Sequence, residues 1–138
     1  MIVLDTNILS ELMRPKADAS VVAWMDRHDA DELMVSAVTV AELLYGIGRL
    51  PEGKRKFDLL AAADTMLDQD FAGRVLPFDA AAAAQYATLV VHRERSGRPI
   101  GMADAQIAAI CLSQNGVLAT RNTKDFGDIG LPLINPWL

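Results

Sequence analysis

Short apolar runs rich in β-branched residues alternate with longer helical stretches along this chain. Three clear runs are IVL at 2–4, LMVS at 33–36 and VLAT at 117–120, and two weaker ones are RVLPF at 74–78 and PLINP at 132–136. Apolar residues recur at helical spacing over 20–28, 40–49, 55–68, 80–96 and 102–114. Buried strands this short, joined by helices, are typical of βα units. The sequence therefore predicts an α/β fold in which helices cover both faces of a short, mainly parallel sheet.

Two residues mark predicted helix ends. Asp79 precedes the 80–96 stretch and is expected to cap its first turn, while Gly116 is expected to end the 102–114 helix as a left-handed residue.

The bulk properties narrow the class of protein. The 138 residues are 51% hydrophobic, which suits one domain over 1–138. No apolar run approaches the roughly 20 residues of a membrane span, and no signal peptide precedes Asp5, so we expect a cytoplasmic protein without a membrane partner. Cys111, the only cysteine, is expected to be a small buried hydrophobe, and the supply of one thiol and two histidines disfavours a zinc site.

Asp5, Thr6 and Asn7 follow the first apolar run directly. In an open parallel sheet, ligands bind beyond the carboxyl ends of the strands, where these side chains would lie. The alternative is a structural role, because all three residue types favour the cap of a short helix starting near Ile8. This stretch alone leaves both interpretations open.

Two further acids occupy comparable positions. Glu42 follows the strand LMVS and is placed in the first helical turn, although Thr39 to Glu42 also matches a capping box. Asp104 lies in the first turn of a strongly apolar helix, where an acid suits the helix dipole. Among residues bound for burial, however, a carboxylate needs a partner, and a metal ion would be one.

The last polar group follows the strand VLAT. Thr120, Asn122 and Asp125 could contribute hydroxyl, amide and carboxylate oxygens, or could form an ordinary polar loop. Together with the three acids, they form an oxygen-rich set of the kind that Mg²⁺ and Mn²⁺ prefer. Their long separations in sequence mean that only the fold could bring them together.

Four segments, MIVLDTNILSEL, SAVTVAELLYGI, GMADAQIAAI and LATRNTKDF, resemble in this order the four motifs of PIN-domain ribonucleases, and more narrowly of VapC-type toxins of toxin–antitoxin pairs. The resemblance implies a three-layer α/β/α fold and Mg²⁺- or Mn²⁺-dependent RNA cleavage. It implies that Asp5, Glu42 and Asp104 are catalytic metal ligands, with Asn122 as a fourth site residue. Supporting roles would fall to Thr6, Asn7, Thr120 and Asp125. It also implies a homodimer, silencing by a small antitoxin, and contact with operator DNA only through that antitoxin.

One position departs from the family pattern. The fourth motif commonly carries an aspartate where this chain has Asn122, which weakens the expected affinity for a second metal and leaves Asp125 to compensate.

The net charge of −5 argues against a non-specific nucleic-acid binder. A protein that cleaves RNA would therefore need a local cluster of lysine and arginine side chains to bind the phosphates. Five residues near the third and fourth motifs are candidates to contact RNA or antitoxin: Arg93, Arg95, Arg98, Arg121 and Lys124. The alternative for the first two is a solvated helix end that complements the dipole.

The residue inventory favours a metal-activated water as the nucleophile. A mechanism through the RNA 2′-hydroxyl commonly uses a histidine pair, but His28 and His92 are expected on the surface, far from the four motifs. Products should therefore carry 5′-phosphate and 3′-hydroxyl ends.

Three other functions compete with this one. A haloacid-dehalogenase-type phosphatase would need a second aspartate where Asn7 stands. Nucleotide binding is disfavoured because Gly46-Ile-Gly48 ends a helix instead of following a strand. A PIN-like module that binds RNA or protein without cleaving stays open because of Asn122.

Overall fold

The five predicted apolar runs form one sheet in a computed structural model that describes residues 1–138. The strand order is β3-β2-β1-β4-β5, and all neighbouring strands are parallel. The strands are Ile2–Leu4 (β1), Leu33–Ser36 (β2), Val75–Leu76 (β3), Val117–Ala119 (β4) and Leu133–Ile134 (β5). The predicted α/β fold with a short parallel sheet is confirmed, and the two weaker runs are the two shortest strands, at the sheet's edges.

Six α-helices flank this sheet, and a π-helical turn at Met66–Asp70 continues the fourth. The helices are Thr6–Leu12 (α1), Ala19–Asp26 (α2), Ala37–Gly48 (α3), Lys54–Thr65 (α4), Ala80–Arg95 (α5) and Met102–Ser113 (α6). The five predicted helical stretches correspond to α2–α6, with ends displaced by a few residues. The sixth, α1, begins two residues before the expected start near Ile8.

Two apolar cores lie on opposite faces of the sheet. Ile2 and Leu4 of β1 pack into one core with α1–α4, while Val3 packs into the other with α5 and α6. This division follows from the strand, because successive side chains point to opposite faces. The arrangement is the predicted three-layer α/β/α sandwich.

The cap of α5 is confirmed, whereas the predicted end of α6 was wrong in one respect. Asp79 accepts a hydrogen bond from the Ala82 amide at 3.0 Å. After α6, the left-handed residue is Asn115 (φ 55°), which tolerates this conformation through its short polar side chain. Gly116 instead leaves room for the α6 side chain of Cys111, because a Cβ there would lie in tight contact with the Cys111 sulfur at 3.2 Å.

Cys111 is fully buried, as predicted. Burial raises the pKa of its thiol to about 12, so the group stays protonated at neutral pH. None of the helices combines the length and the apolar character that a bilayer crossing requires.

Candidate active site

Polar residues from five separate stretches of the sequence line one open cleft of about 640 Å³ beyond the carboxyl ends of the strands. The predicted residues in its lining are Asp5, Thr6, Asn7, Glu42, Asp104, Arg121 and Asn122. They meet because β1 and β4 are neighbours and because α3 and α6 start at the same sheet edge.

Asp5 both caps α1 and lines the cleft. The structural role is therefore observed, and the ligand-binding role stays a prediction. The Asp5 side chain is only 5% exposed. One carboxylate oxygen accepts a hydrogen bond from the Thr6 amide at 2.8 Å, which caps α1. The other accepts from the Thr120 hydroxyl at 2.8 Å. Both bonds favour the ionised carboxylate, but burial outweighs them and raises the pKa of Asp5, with the charges of Glu42 and Asp125 adding to the rise.

Glu42 is not part of a capping box. The cap of α3 is Ser36, whose hydroxyl accepts from the Thr39 amide at 3.0 Å, so the helix begins three residues earlier than the Thr39 pattern predicted. Glu42 consequently lies in the second turn, exposed in the cleft. There its carboxylate accepts a hydrogen bond from the Thr6 hydroxyl at 2.7 Å.

Asp104 lies in the first turn of α6, as predicted, and is half-buried. Burial, followed by the charges of Asp5, Glu42 and Asp125, raises its pKa to about 6. None of these four acids forms a salt bridge, so no lysine or arginine of the chain neutralises the cluster directly. Asp125 contributes its charge although it does not line the cleft.

A network of hydrogen bonds joins the end of β1 to the segment after β4. The fully buried Thr120 hydroxyl, which donates to Asp5, accepts from the Asn122 amide at 3.1 Å. The Asn7 side chain donates to the same hydroxyl at 3.4 Å and accepts from the Arg121 amide at 3.4 Å. This network fixes the orientation of Asp5 and places Asn122 at the edge of the cleft.

The acidic groups do not form a ready-made cation cage. No three histidine, cysteine, aspartate or glutamate side chains stand in a metal-holding arrangement. A cation bound at this cleft would therefore complete its coordination with waters, as Mg²⁺ normally does.

Arg93 was wrongly predicted to contact RNA or antitoxin. It is only 5% exposed, and its guanidinium donates to the carbonyl oxygens of Arg98, Asp125 and Gly127 at 2.7, 3.2 and 3.1 Å. These bonds hold the segment after β4 against α5. Burial of this charged group is possible because its N–H groups donate to three backbone carbonyls in place of water.

Of the other predicted basic contacts, only Arg121 lines the cleft. Arg95, Arg98 and Lys124 are exposed but lie outside its lining. Sequence reasoning missed Arg14, Arg55 and Trp137, which do line it. Arg14 follows Asn7 and Ser10 at nearly helical spacing, a signal that could have identified it, whereas Arg55 and Trp137 reach the cleft only through the tertiary fold.

Neither imidazole lines the cleft. His92 is exposed beside Asp128, with 3.1 Å between its Nε2 and a carboxylate oxygen. His28 is half-buried, instead of lying on the surface, because its ring packs against Trp24 with 4.6 Å between centroids. A histidine pair is therefore absent from the cleft.

Comparisons with known proteins identify the family of this chain. The family model described as PIN domain matches residues 2–130. The chain is 44% identical to VapC ribonuclease Y4jK of Sinorhizobium fredii, covering 99% of this chain and 98% of that protein. It is 40% identical to Toxin FitB of Neisseria gonorrhoeae, covering 99% of both chains.

A solved structure extends the similarity to the fold. A chain in the structure of FitAB bound to the IR36 DNA fragment superposes with a TM-score of 0.93 at 39% identity, covering 100% of this chain and 96% of that one. The protein therefore belongs to the PIN-domain family, as a VapC-type ribonuclease toxin of the VapBC and FitAB toxin–antitoxin systems.

Proposed function

We propose that this VapC-type toxin hydrolyses RNA phosphodiester bonds in the cleft, with Mg²⁺ or Mn²⁺ held by Asp5, Glu42 and Asp104, and with Asn122 completing the site. The observation that carries the proposal is the meeting of these carboxylates in one cleft, without any ion pair to a basic side chain. The neighbouring carboxylates add to the rise in the pKa of Asp5 and of Asp104, and such a concentration of negative charge favours an added cation.

The donor set fits a hard divalent cation. Carboxylate and amide oxygens are the ligands that Mg²⁺ and Mn²⁺ prefer, and the cleft is open enough for waters to complete the coordination. When bound, the cation would lower the pKa of a water molecule and offset charge on the phosphate.

The chain's own residues orient the ligands and attract the substrate. Thr120 and the Thr6 amide fix the two oxygens of Asp5, and the Thr6 hydroxyl holds Glu42. Fixed hydrogen-bond partners of this kind keep ligating carboxylates in the orientation that the metal requires. The guanidinium groups of Arg55 and Arg121 add positive charge around the acidic centre, where RNA phosphates would pass, whereas that of Arg14 is paired with Glu11 at 3.3 Å.

We also propose that a small antitoxin silences the cleft, that the toxin acts as a homodimer, and that operator DNA is reached only through the antitoxin. The FitAB structure with DNA, to which this chain is similar, supports the partner and the DNA link. An acidic cleft would favour an antitoxin segment that carries a basic side chain.

RNA cleavage with and without metal tests the nuclease proposal. We expect the full chain to cut RNA in Mn²⁺ or Mg²⁺, to stop in EDTA, and to leave 5′-phosphate and 3′-hydroxyl ends. Asp5→Asn or Asp104→Asn should slow cleavage more than about 100-fold, since even residues that only support a metal ligand are worth 10–100-fold. Asp64→Asn removes an exposed carboxylate of α4 outside the cleft and should cut like the parent protein.

Three results would contradict the proposal: 2′,3′-cyclic phosphate products, cutting that persists in EDTA, or a fast Asp104→Asn variant. RNA binding without any cutting would instead support the non-catalytic module that Asn122 leaves open.

A further inference from the structure

Trp137 is the only apolar residue among the twelve that line the acidic cleft. The others are acids, amides, hydroxyls and arginines, which recognise charge and phosphate but offer no aromatic ring. A lone aromatic side chain in such a setting is typical of sites that stack nucleic-acid bases.

Trp137 does not present its ring alone. The Arg121 guanidinium carbon lies over the indole, 5.2 Å from the ring centroid. Trp137 is half-buried and packs against the core on the α1–α4 face, whereas Arg121 is exposed. The half-buried indole therefore lies on one side of the guanidinium, and Arg121, which lines the cleft, is the more accessible of the two.

Hydrogen bonds of the backbone and of short side chains join both residues to the acidic centre. The Arg121 amide donates to the Asn7 side chain, and the hydroxyl of the preceding Thr120 donates to Asp5. Toward β5, the Thr120 amide donates to the Ile134 carbonyl, and the Trp137 amide donates to the Asn135 side chain at 3.0 Å. The stacked pair thus has a defined position next to the proposed catalytic acids.

We propose that Arg121, supported on one side by the Trp137 ring, stacks on an unpaired base next to the scissile phosphate, and that this pair thereby contributes to the preference of the cleft for single-stranded or looped RNA over duplex. The inference rests on the proposed RNA substrate of this cleft. A guanidinium plane stacks on bases and on aromatic rings, and a paired base inside a helix has no free face to offer. Arg121 would contact the base, and Trp137 is a positioning residue that acts through it.

Binding of a short unstructured RNA carrying 2-aminopurine tests the platform, with EDTA present so that cutting plays no part. We expect the wild-type chain to quench the 2-aminopurine fluorescence and to bind this strand more tightly than its duplex. Arg121→Lys keeps the charge but loses the plane, so we expect affinity for the single strand to fall about 10-fold. The salt dependence should stay unchanged, whereas Arg121→Ala should also reduce its slope by about 0.7.

Matched variants separate stacking from general effects. Trp137→Leu should behave like Arg121→Lys, while Trp137→Phe, which keeps an aromatic face, should bind nearly as wild type does. Arg49 lies 5.5 Å over the Tyr45 ring, outside the cleft, and Arg49→Lys should change nothing. Circular dichroism shows whether each variant folds. If Trp137→Leu does not fold, the comparison of Arg121→Lys with wild type is sufficient to test the proposal.

The inference is overturned if Arg121→Lys binds the single strand as tightly as wild type, if it weakens duplex binding equally, or if the wild-type chain binds the strand without quenching 2-aminopurine. Quenching and strand selectivity in a protein that never cuts RNA would support the platform and overturn only the nuclease proposal.

Discussion

At the scale of single residues, Asp104 shows how the acidic cleft lowers the free energy of unfolding of the metal-free protein. Its pKa of about 6, against an ordinary 3.8, reflects burial and three neighbouring carboxylates. Because the folded state holds this proton more tightly than the unfolded state, the free energy of unfolding falls as the pH rises from 3.8 to about 6. Above that range, the ionised side chain destabilises the metal-free fold by a constant amount.

Asp104→Asn should therefore stabilise the metal-free protein, and increasingly so as the pH rises through this window. At neutral pH, we expect a gain on the order of 1 kcal/mol, after allowance for the solvent screening of a half-exposed group. Urea unfolding in EDTA at a series of pH values measures it. Asp64→Asn, an exposed acid on α4, provides the control and should show no comparable trend. A gain for Asp104→Asn that did not grow with pH would contradict the assignment.

Single residues of the candidate site also differ in how well the sequence predicts them. Asp5 and Glu42 could be assigned to the cleft because each comes after an apolar strand, and parallel strands gather such positions at one edge. Asp104 could be assigned because it is a carboxylate in the first turn of a strongly apolar helix. Arg93 resembled its exposed neighbour Arg95 in sequence, and only the tertiary contacts show that its guanidinium is occupied by carbonyls. Trp137 gave no local signal, since its place in the cleft depends on β5 pairing with β4.

At the scale of elements, the strands were predictable because short β-branched runs leave few alternatives. The start of α3 was not, because both Ser36 and Thr39 can cap a helix. Ser36 is the cap observed. It is also the last residue of β2, so the helix begins directly after the strand without a loop. The end of α6 was wrongly predicted for a similar reason, since Asn115 and Gly116 can both adopt the left-handed conformation.

Arg93 joins two elements, and its removal tests how much that junction contributes. Arg93→Met keeps an apolar side chain but leaves three carbonyls without their donor, and we expect a loss of about 2 kcal/mol in the free energy of unfolding. Urea denaturation measures the loss. Arg95→Met, two residues along the same helix and exposed, should stay within about 0.5 kcal/mol of wild type. Equal effects of the two variants would show that the buried contacts contribute nothing.

At the scale of the whole molecule, the net charge of −5 and the acidic cleft both weaken RNA binding, and added positive charge would offset this. Arg55 and Arg121 supply part of that charge around the cleft, whereas Arg14 is paired with Glu11. A divalent cation at the centre would supply the rest, which reconciles an acidic protein with an anionic substrate. It would also connect β1, α3 and α6, three elements far apart in sequence.

A cation that binds the folded chain through ligands on three elements must raise the thermal stability of the whole domain, because the unfolded chain has no such site. With Mn²⁺ at about 100 times its dissociation constant, the expected stabilisation is roughly 2.7 kcal/mol. For a domain of this size, that corresponds to a rise of roughly 10 °C in the melting temperature. Differential scanning fluorimetry with Mn²⁺ and then with excess EDTA measures the rise and its reversal. Asp104→Asn, although more stable without metal, should gain far less from Mn²⁺, whereas Asp64→Asn should gain as much as wild type. A wild-type chain that does not respond to Mn²⁺, or an Asp104→Asn variant that responds fully, would show that the three acids do not share a cation.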